Sequence, residues 1–220
     1  MLQFNFVNRE SDTDPLLPQL TEIQNTYILL RHGETDFNAK RLFPGSLDVP
    51  LNNTGITQAR EVKLPLTPQR VLASPLGRAL HTARLVLGAH QLDVSIHIDS
   101  RLQEKHGGVA EGLSLQELQT AYPEVWSAWD LEELPIIASR TKYPHGESDL
   151  DVAIRLQSLI HEIETKVHNE VFLLVTHGGV MRAMRLLAGL SKKDIYPGRH
   201  LPNCAIEIYR PGEQEGIIYE

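Results

Sequence analysis

Residues 26–35 read TYILLRHGET, in which an apolar run of strand length is followed at once by a charged turn that contains glycine. The same order recurs twice. VLAS at 71–74 is followed by PLGR, and VFLLV at 171–175 is followed by THGG. Short apolar runs of this kind are typical of strands that are buried on both faces of a parallel sheet. The three segments therefore predict strands of one sheet, each of which ends in polar residues.

Helical patterns separate these strands. We predict helices at 54–63, 76–89, 115–131 with a break near Pro123, 148–168 and 179–190, and two further strands at 94–98 and 204–209. The segment 148–168 is strongly amphipathic, since its apolar residues recur at helical spacing: Val152, Leu156, Leu159, Ile160 and Ile163. Thr54 is the predicted cap of the first helix. Strands that alternate with helices predict an α/β fold, a three-layer sandwich whose mainly parallel central sheet is covered by helices on both faces.

The chain of 220 residues is long enough for one sizeable core. Residues 1–24 contain two prolines and scattered acids without a sustained period, and we interpret them as an N-terminal extension. Residues 25–220 form one predicted domain, and the stretch from about 103 to 147 is a predicted lid-like insertion near the site.

Composition and charge narrow the classes of function. The 21 basic and 28 acidic residues give a formal charge of −7, which disfavours binding to nucleic acid or to an anionic membrane. No apolar stretch reaches the length of a membrane span, and the N-terminal residues lack the basic start and the apolar core of a signal peptide. Cys204 is the only cysteine, so neither an intrachain disulfide nor a cysteine-rich zinc site can form. We expect a cytoplasmic protein without nucleic-acid or membrane partners.

The polar residues behind the three principal strands predict an anion site. Ligands of open α/β sheets bind outside the carboxyl ends of the strands. Arg31 and His32 follow the first strand, and Arg78 and His177 follow the other two. Arginine binds phosphate oxygens in a bidentate manner, and a histidine that is deprotonated on one ring nitrogen can act as a covalent nucleophile. Amides at the start of the helix after Gly178 would add further donors. The pattern indicates phosphoryl transfer, with the second histidine expected to stay protonated.

These residues belong to an ordered set of short motifs. The set comprises Arg31-His32-Gly33-Glu34-Thr35 with Asn38, Gly45, Asp48-Val49-Pro50-Leu51, Gly55, Gln58-Ala59, Ser74-Pro75-Leu76-Gly77-Arg78-Ala79 with Thr82-Ala83, Leu102-Gln103-Glu104, Gly108, Glu111-Gly112, Gly146-Glu147-Ser148 and Thr176-His177-Gly178-Gly179-Val180. It resembles the histidine phosphatase superfamily, also called the phosphoglycerate mutase-like fold, in the family's order over roughly residues 26–210. The resemblance implies that fold and a reaction that needs neither a metal nor another cofactor. One departure is Leu42-Phe43-Pro44-Gly45, where relatives often have Arg-Phe-Gln-Gly.

The resemblance also implies the roles of individual residues. It assigns catalysis to His32 as the phosphorylated nucleophile, to Glu104 as the proton donor to the leaving oxygen, and to His177, which binds the phosphoryl group. The implied substrate-binding set is Arg31, Asn38, Gly45, Arg78 and Gly178. Glu111 and Glu147 lie in the same region as Glu104 and are rival carboxylates for the acid.

Three functions stay open on the sequence: a phosphatase, a cofactor-dependent phosphoglycerate mutase, and a non-catalytic protein that binds phosphorylated ligands. Mutases of the family hold a carboxylate-bearing substrate with extra arginines in the insertion, whereas the insertion here is acidic and has no adjacent arginines. Gly179 stands where mutases usually have asparagine, and residues 142–148 are similar to the fructose-2,6-bisphosphatases. These features favour a metal-independent phosphatase acting on a small phosphorylated metabolite such as a sugar phosphate. The oligomeric state is open, a homodimer included.

Overall fold

The computed structural model of the protein describes residues 2–3, 23–130, 140–190, 192–195, 201–211 and 217–219. Its strands are β1 (Leu2–Gln3), β2 (Thr26–Arg31), β3 (Arg70–Ala73), β4 (Ile96–Ile98), β5 (Val171–Thr176), β6 (Ile206–Tyr209) and β7 (Ile217–Tyr219). Its helices are α1 (Asp36–Ala39), α2 (Asn53–Glu61), α3 (Gly77–Ala89), α4 (Leu115–Ala121), α5 (Pro123–Asp130), α6 (Asp149–Lys166), α7 (Gly178–Leu187) and α8 (Lys192–Ile195). Each predicted helix and strand is present, and the helix expected at 115–131 is divided at Pro123 into α4 and α5.

The described strands form one sheet in the order β1-β7-β6-β2-β5-β3-β4. Strands β2, β5, β3 and β4 are parallel, whereas β6, β7 and β1 continue the sheet in antiparallel pairings. The register pairs Arg31 with Thr176, the last residues of β2 and β5. His32 and His177 therefore leave two adjacent strands at the same height, on the edge where parallel sheets bind ligands.

The helices cover both faces of the sheet, as the alternation of side chains along β2 shows. Tyr27 and Leu29 pack on one face with α6 and α7, whereas Ile28 and Leu30 pack on the other with α3. Both faces are buried, which accounts for the uninterrupted apolar runs in the sequence. The predicted three-layer α/β sandwich with a mainly parallel central sheet is confirmed.

Local capping explains where the helices begin. Ser148 caps α6, because its hydroxyl accepts from the Asp151 amide at 3.1 Å while the Asp151 carboxylate accepts from the Ser148 amide at 2.8 Å. The predicted apolar seam of this helix is buried from Val152 to Ile163. The prediction that Thr54 caps α2 is wrong. The N-cap is Asn52, whose side-chain oxygen Oδ1 accepts from the Gly55 amide at 2.8 Å, so the helix begins before Thr54.

The predicted insertion contains a small hydrophobic cluster of its own. Ala110, Leu118, Val125 and Tyr143 are buried together, and Phe43 from the loop before α2 packs against them. The lid-like behaviour of 103–147 stays a prediction, and residues 131–139 lie outside the described part. Of the predicted extension 1–24, residues Leu2–Gln3 form β1 against β7, and residues 1 and 4–22 lie outside the described residues. None of the helices in the described ranges has the length and apolar character needed to cross a membrane.

Candidate active site

His32 follows β2 directly and is 1% exposed. Its backbone N–H donates to the Thr176 carbonyl of β5 at 3.0 Å, which fixes the start of the loop. The ring atom Nδ1 lies 2.7 Å from the carbonyl oxygen of Gly33. Because a carbonyl oxygen can only accept, Nδ1 carries a proton, and in the neutral ring Nε2 therefore carries the lone pair. This tautomer is the one that a nucleophilic histidine requires.

His177 is the N-cap residue of α7 and lies beside His32, with the ring centroids 5.1 Å apart. Its Nε2 is 2.7 Å from the hydroxyl of Ser74, and that hydroxyl also accepts from the Leu76 amide at 3.3 Å. The Leu76 amide occupies one lone pair of the Ser74 oxygen and leaves its O–H available to Nε2; with the hydroxyl as the donor, the proton of the neutral ring lies on Nδ1. Among the described residues, no acceptor takes the buried Nδ1 donor of His177. An anion bound beside His32 would supply one.

Burial, followed by the charges of Arg78, His32 and Arg31, holds the pKa of His177 well below its usual range. This differs from the expectation that the second histidine stays protonated. The physical reason is that a charged ring is disfavoured in a buried cluster of cations, whereas a neutral ring still offers one N–H to an anion.

The two predicted arginines are both buried at this edge. Arg78, on the first turn of α3, is fully buried and donates to the carbonyls of Leu47 at 2.6 Å and Gly45 at 2.8 Å. Arg31 is 4% exposed, and its Nη1 donates to the Leu201 carbonyl. Burial lowers the pKa of Arg31 to about 10, and it also lowers the pKa of Arg78. Two guanidinium groups removed from water are stabilised by a bound dianion, which is what a phosphoryl group supplies.

Gly45 and Asn38 act on this site through the loop backbone. Gly45 has a φ of +48°, and a Cβ there would collide with the Glu111 carboxylate, so only glycine fits. Its carbonyl orients Arg78. Asn38 accepts through Oδ1 from the Thr35 amide at 3.1 Å and the Thr35 hydroxyl at 2.9 Å, which leaves its amide end as the donor for a ligand.

Sequence reasoning missed the loop 201–205. The Asn203 side-chain amide donates to the His32 carbonyl at 3.1 Å and lies 3.3 Å from Asn38 Oδ1, while the Leu201 carbonyl accepts from Arg31. This loop precedes β6, which is antiparallel to β2. The start of β6 therefore lies at the edge where the parallel strands end, and a search of residues behind strands could not find it.

Glu104 reaches the N-terminus of α7. Its Oε1 accepts from the Gly179 amide at 3.0 Å and from the Lys105 amide at 2.8 Å. A Cβ at Gly179 would collide with this Oε1, so the absence of a side chain there permits the contact. The Glu104 carboxyl group is therefore held at the N-terminus of α7, whose N-cap is His177.

The rival carboxylates are committed to other partners. Glu147 accepts from Arg155 Nε at 3.1 Å and from the His106 amide at 2.9 Å. Glu111 accepts from the Ser46 amide at 2.8 Å and the Gly107 amide at 2.9 Å. Burial alone would raise the pKa of Glu111, but these bonds outweigh it and the pKa is lowered.

The described ranges contain no group of three or more His, Cys, Asp or Glu side chains that could hold a metal ion. Arg31 and Arg78 supply positive charge at this edge.

The depressed pKa of His177 predicts how stability varies with pH. The unfolded chain protonates this histidine as the pH falls below about 6.5, whereas the folded protein does not, so stability is lost as the pH falls. We expect His177→Gln to lack this loss. Relative to the variant, the wild type should lose up to about 1.4 kcal/mol per pH unit below pH ~6.5. Urea unfolding at pH 7.5, 6.5 and 5.5 measures the difference, and parallel pH profiles for the two proteins would contradict it.

Comparison with known proteins places this geometry in a family. The chain is 32% identical over 205 residues to a metal-independent phosphoserine phosphatase of Arabidopsis thaliana, covering 91% of this chain and 80% of that protein. It is 31% identical over 188 residues to phosphoglycerate mutase-like protein 4 of the same plant, covering 83% of this chain and 78% of that protein. The structure of a mycobacterial glucosyl-3-phosphoglycerate phosphatase in complex with VO3 superposes with a TM-score of 0.68 at 27% identity, covering 83% of this chain and 91% of that one. The family model of the histidine phosphatase superfamily (branch 1) matches residues 27–219. The chain belongs to the histidine phosphatase superfamily.

Proposed function

We propose that this protein hydrolyses a small phosphate monoester through a phosphohistidine formed on His32. The observation that carries the proposal is the tautomer of His32. With Nδ1 bound to the Gly33 carbonyl, Nε2 of the neutral ring keeps its lone pair, and the ring lies beside that of His177, on which the charges of Arg78 and Arg31 also act. The relatives named as phosphatases support the same reaction class.

The substrate phosphoryl group would bind where the cations converge. Arg31 and Arg78 contribute fixed positive charge, and His177 Nδ1 contributes an N–H that the described protein leaves without an acceptor. The Asn38 amide and the first N–H groups of α7 at Gly178 complete the donors. Gly45 contributes by orienting Arg78 through its carbonyl. These groups stabilise the charge on the equatorial oxygens during transfer.

The reaction proceeds in two displacements. His32 Nε2 attacks phosphorus, the P–O bond to the leaving group breaks, and Glu104 gives its proton to the leaving oxygen. Glu104, now a carboxylate, then takes a proton from water as that water attacks phosphorus. The N–P bond breaks and inorganic phosphate leaves, which restores His32 and the protonated Glu104.

Glu104 is the best placed of the three carboxyl groups for this role. The amides of Lys105 and Gly179 both donate to Oε1 of Glu104. Oε2 is therefore the oxygen that can hold the transferable proton. Glu111 and Glu147 use their oxygens to hold loop amides and Arg155.

Phosphoglycerate mutase activity is the second candidate, because one of the relatives is named as phosphoglycerate mutase-like. In that reaction the phosphoryl group of His32 returns to another hydroxyl of the substrate instead of passing to water. The cytoplasmic location and the oligomeric state stay predictions.

A substrate panel distinguishes the two functions. We expect the purified protein to release phosphate in the presence of EDTA from at least one of p-nitrophenyl phosphate, sugar phosphates, 3-phosphoglycerate, phosphoserine and nucleotides. The 3-phosphoglycerate reaction is also followed for isomerisation. Isomerisation without release would replace the phosphatase by the mutase, and hydrolysis that EDTA abolishes would contradict a metal-independent reaction.

A further inference from the structure

Next to Glu104, a lysine and an aspartate form a buried ion pair that the sequence did not reveal. Lys105 Nζ lies 2.8 Å from Asp149 Oδ1, and the two side chains are only 5% and 2% exposed. Asp149 is the first residue of α6, so the helix N-terminus stabilises its negative charge. Its second oxygen, Oδ2, lies 3.7 Å from Arg182 Nε on α7. The Asp149 carboxylate thus connects Lys105, the residue after Glu104, with helices α6 and α7.

A pair of this kind contributes little to stability by itself. Removing two charges from water carries a large desolvation penalty, and apolar residues of similar volume often stabilise a protein as well or better. Its location offers another role. The backbone N–H of Lys105 donates to Glu104 Oε1 at 2.8 Å, and Lys105 Cβ lies 3.2 Å from where a side chain of Gly179 would begin.

The backbone on the other side of Glu104 is also fixed. Arg155 on α6 donates to the carbonyls of Arg101 at 2.6 Å and Gln103 at 2.8 Å. The Thr176 hydroxyl donates to the Leu102 carbonyl at 2.7 Å. The chain before Glu104 is therefore held by hydrogen bonds from α6 and β5. The chain after Glu104 is held by the ion pair of Lys105 with Asp149.

We propose that the buried Lys105–Asp149 pair is a positioning device for Glu104, which keeps the carboxyl group on the start of α7 with Oε2 toward the leaving oxygen. Lys105 is a positioning residue, because it acts through Glu104. The inference rests on the proposed function, since it requires Glu104 to be the acid. Loss of the pair lets residue 105 shift, and a shift of about 1 Å can cost roughly a hundredfold in rate.

The test uses substrates that differ in their need for an acid. Lys105→Met is compared with the wild type on p-nitrophenyl phosphate and on the best alkyl ester of the panel, using kcat/KM, which reports the steps through transfer to His32. We expect a loss of about 10- to 100-fold on the alkyl ester, and less than about threefold on p-nitrophenyl phosphate. The matched control is Lys142→Met, which removes the exposed pair of Lys142 with Asp151 (3.2 Å) on the same helix and should change neither rate.

A double-mutant cycle separates positioning from a general structural role. If Lys105 acts through Glu104, Lys105→Met added to Glu104→Gln causes no further loss on the alkyl ester. Additive losses, equal losses on both substrates, or no loss would each overturn the inference. Should Lys105→Met fail to fold because the buried Asp149 loses its lysine partner, Lys105→Met/Asp149→Leu replaces both charges by apolar groups. A folded double variant with the wild-type ratio of the two rates would also overturn it.

His32→Ala separates this inference from the proposed function. If His32→Ala hydrolyses both esters as the wild type does, the proposed function fails and the inference fails with it. If His32→Ala is inactive and the Lys105 variants lose both rates equally, only the inference fails.

Discussion

Replacing His32 by alanine is expected to abolish hydrolysis, with a fall in kcat of at least about 10⁴-fold on every substrate. The variant has no atom that can take the place of Nε2, and the surrounding arginines can bind the ester but cannot accept its phosphoryl group. The measurement is phosphate release by the purified variant on the panel that the wild type hydrolyses, together with rapid-quench trapping of the phosphoenzyme. We expect wild-type protein to show an acid-labile, base-stable phosphoryl adduct that the variant lacks.

His32→Asn is the matched control, because it keeps a polar side chain of similar size while removing the nucleophile. Arg31 and Arg78 remain, so we expect phosphate or vanadate still to bind, detected by calorimetry or by thermal stabilisation. Turnover by either variant at the wild-type rate would eliminate the phosphohistidine mechanism.

The second large effect is expected from Glu104→Gln, and it depends on the leaving group. The leaving group of an alkyl ester is a strongly basic alkoxide, which needs a proton in order to depart. For such an ester, kcat/KM of the variant should therefore fall by about 10²- to 10³-fold. p-Nitrophenolate leaves without protonation, so its ester should lose less than about threefold. Steady-state kinetics on the two substrates at one pH measures the divergence, which should be larger than for any other carboxylate variant of the site.

Glu147→Gln is the informative comparison, since Glu147 is a carboxylate of the same region that is bound to Arg155. Loss of the Glu147 carboxylate loosens the loop at His106 but removes no proton donor. The substitution should therefore lower the rates on the alkyl ester and on p-nitrophenyl phosphate by a similar factor. Gly179→Ala should reproduce the Glu104→Gln divergence, because its Cβ occupies the place of Glu104 Oε1. If Glu104→Gln slowed both esters equally, the acid would have to be another group.

Local patterns along the chain are sufficient to predict the layers of the fold and the sheet edge that holds the candidate site. The apolar runs 26–30 and 171–175 are continuous because strands buried on both faces need no polar residues, and this pattern is local. Arg31 ends β2, His32 and His177 follow β2 and β5 directly, and Arg78 lies on the first turn of the helix after β3. Their places along the chain therefore follow from local pattern.

The protonation states and hydrogen-bond partners of these groups, in contrast, depend on contacts between residues that are distant in the sequence. The neutral tautomer of His177 depends on Ser74, 103 positions away in the sequence, and its pKa is lowered by burial first and then by charges from other elements, Arg78 and Arg31 among them. The antiparallel direction of β6, which brings Asn203 to His32, depends on pairing with β2 and leaves no local pattern. Glu104 differs from Glu111 and Glu147 in its partners, and the Lys105–Asp149 pair joins residues 44 apart. Hydrogen bonds and charge interactions act across distances in space, so they become visible only when the chain is folded.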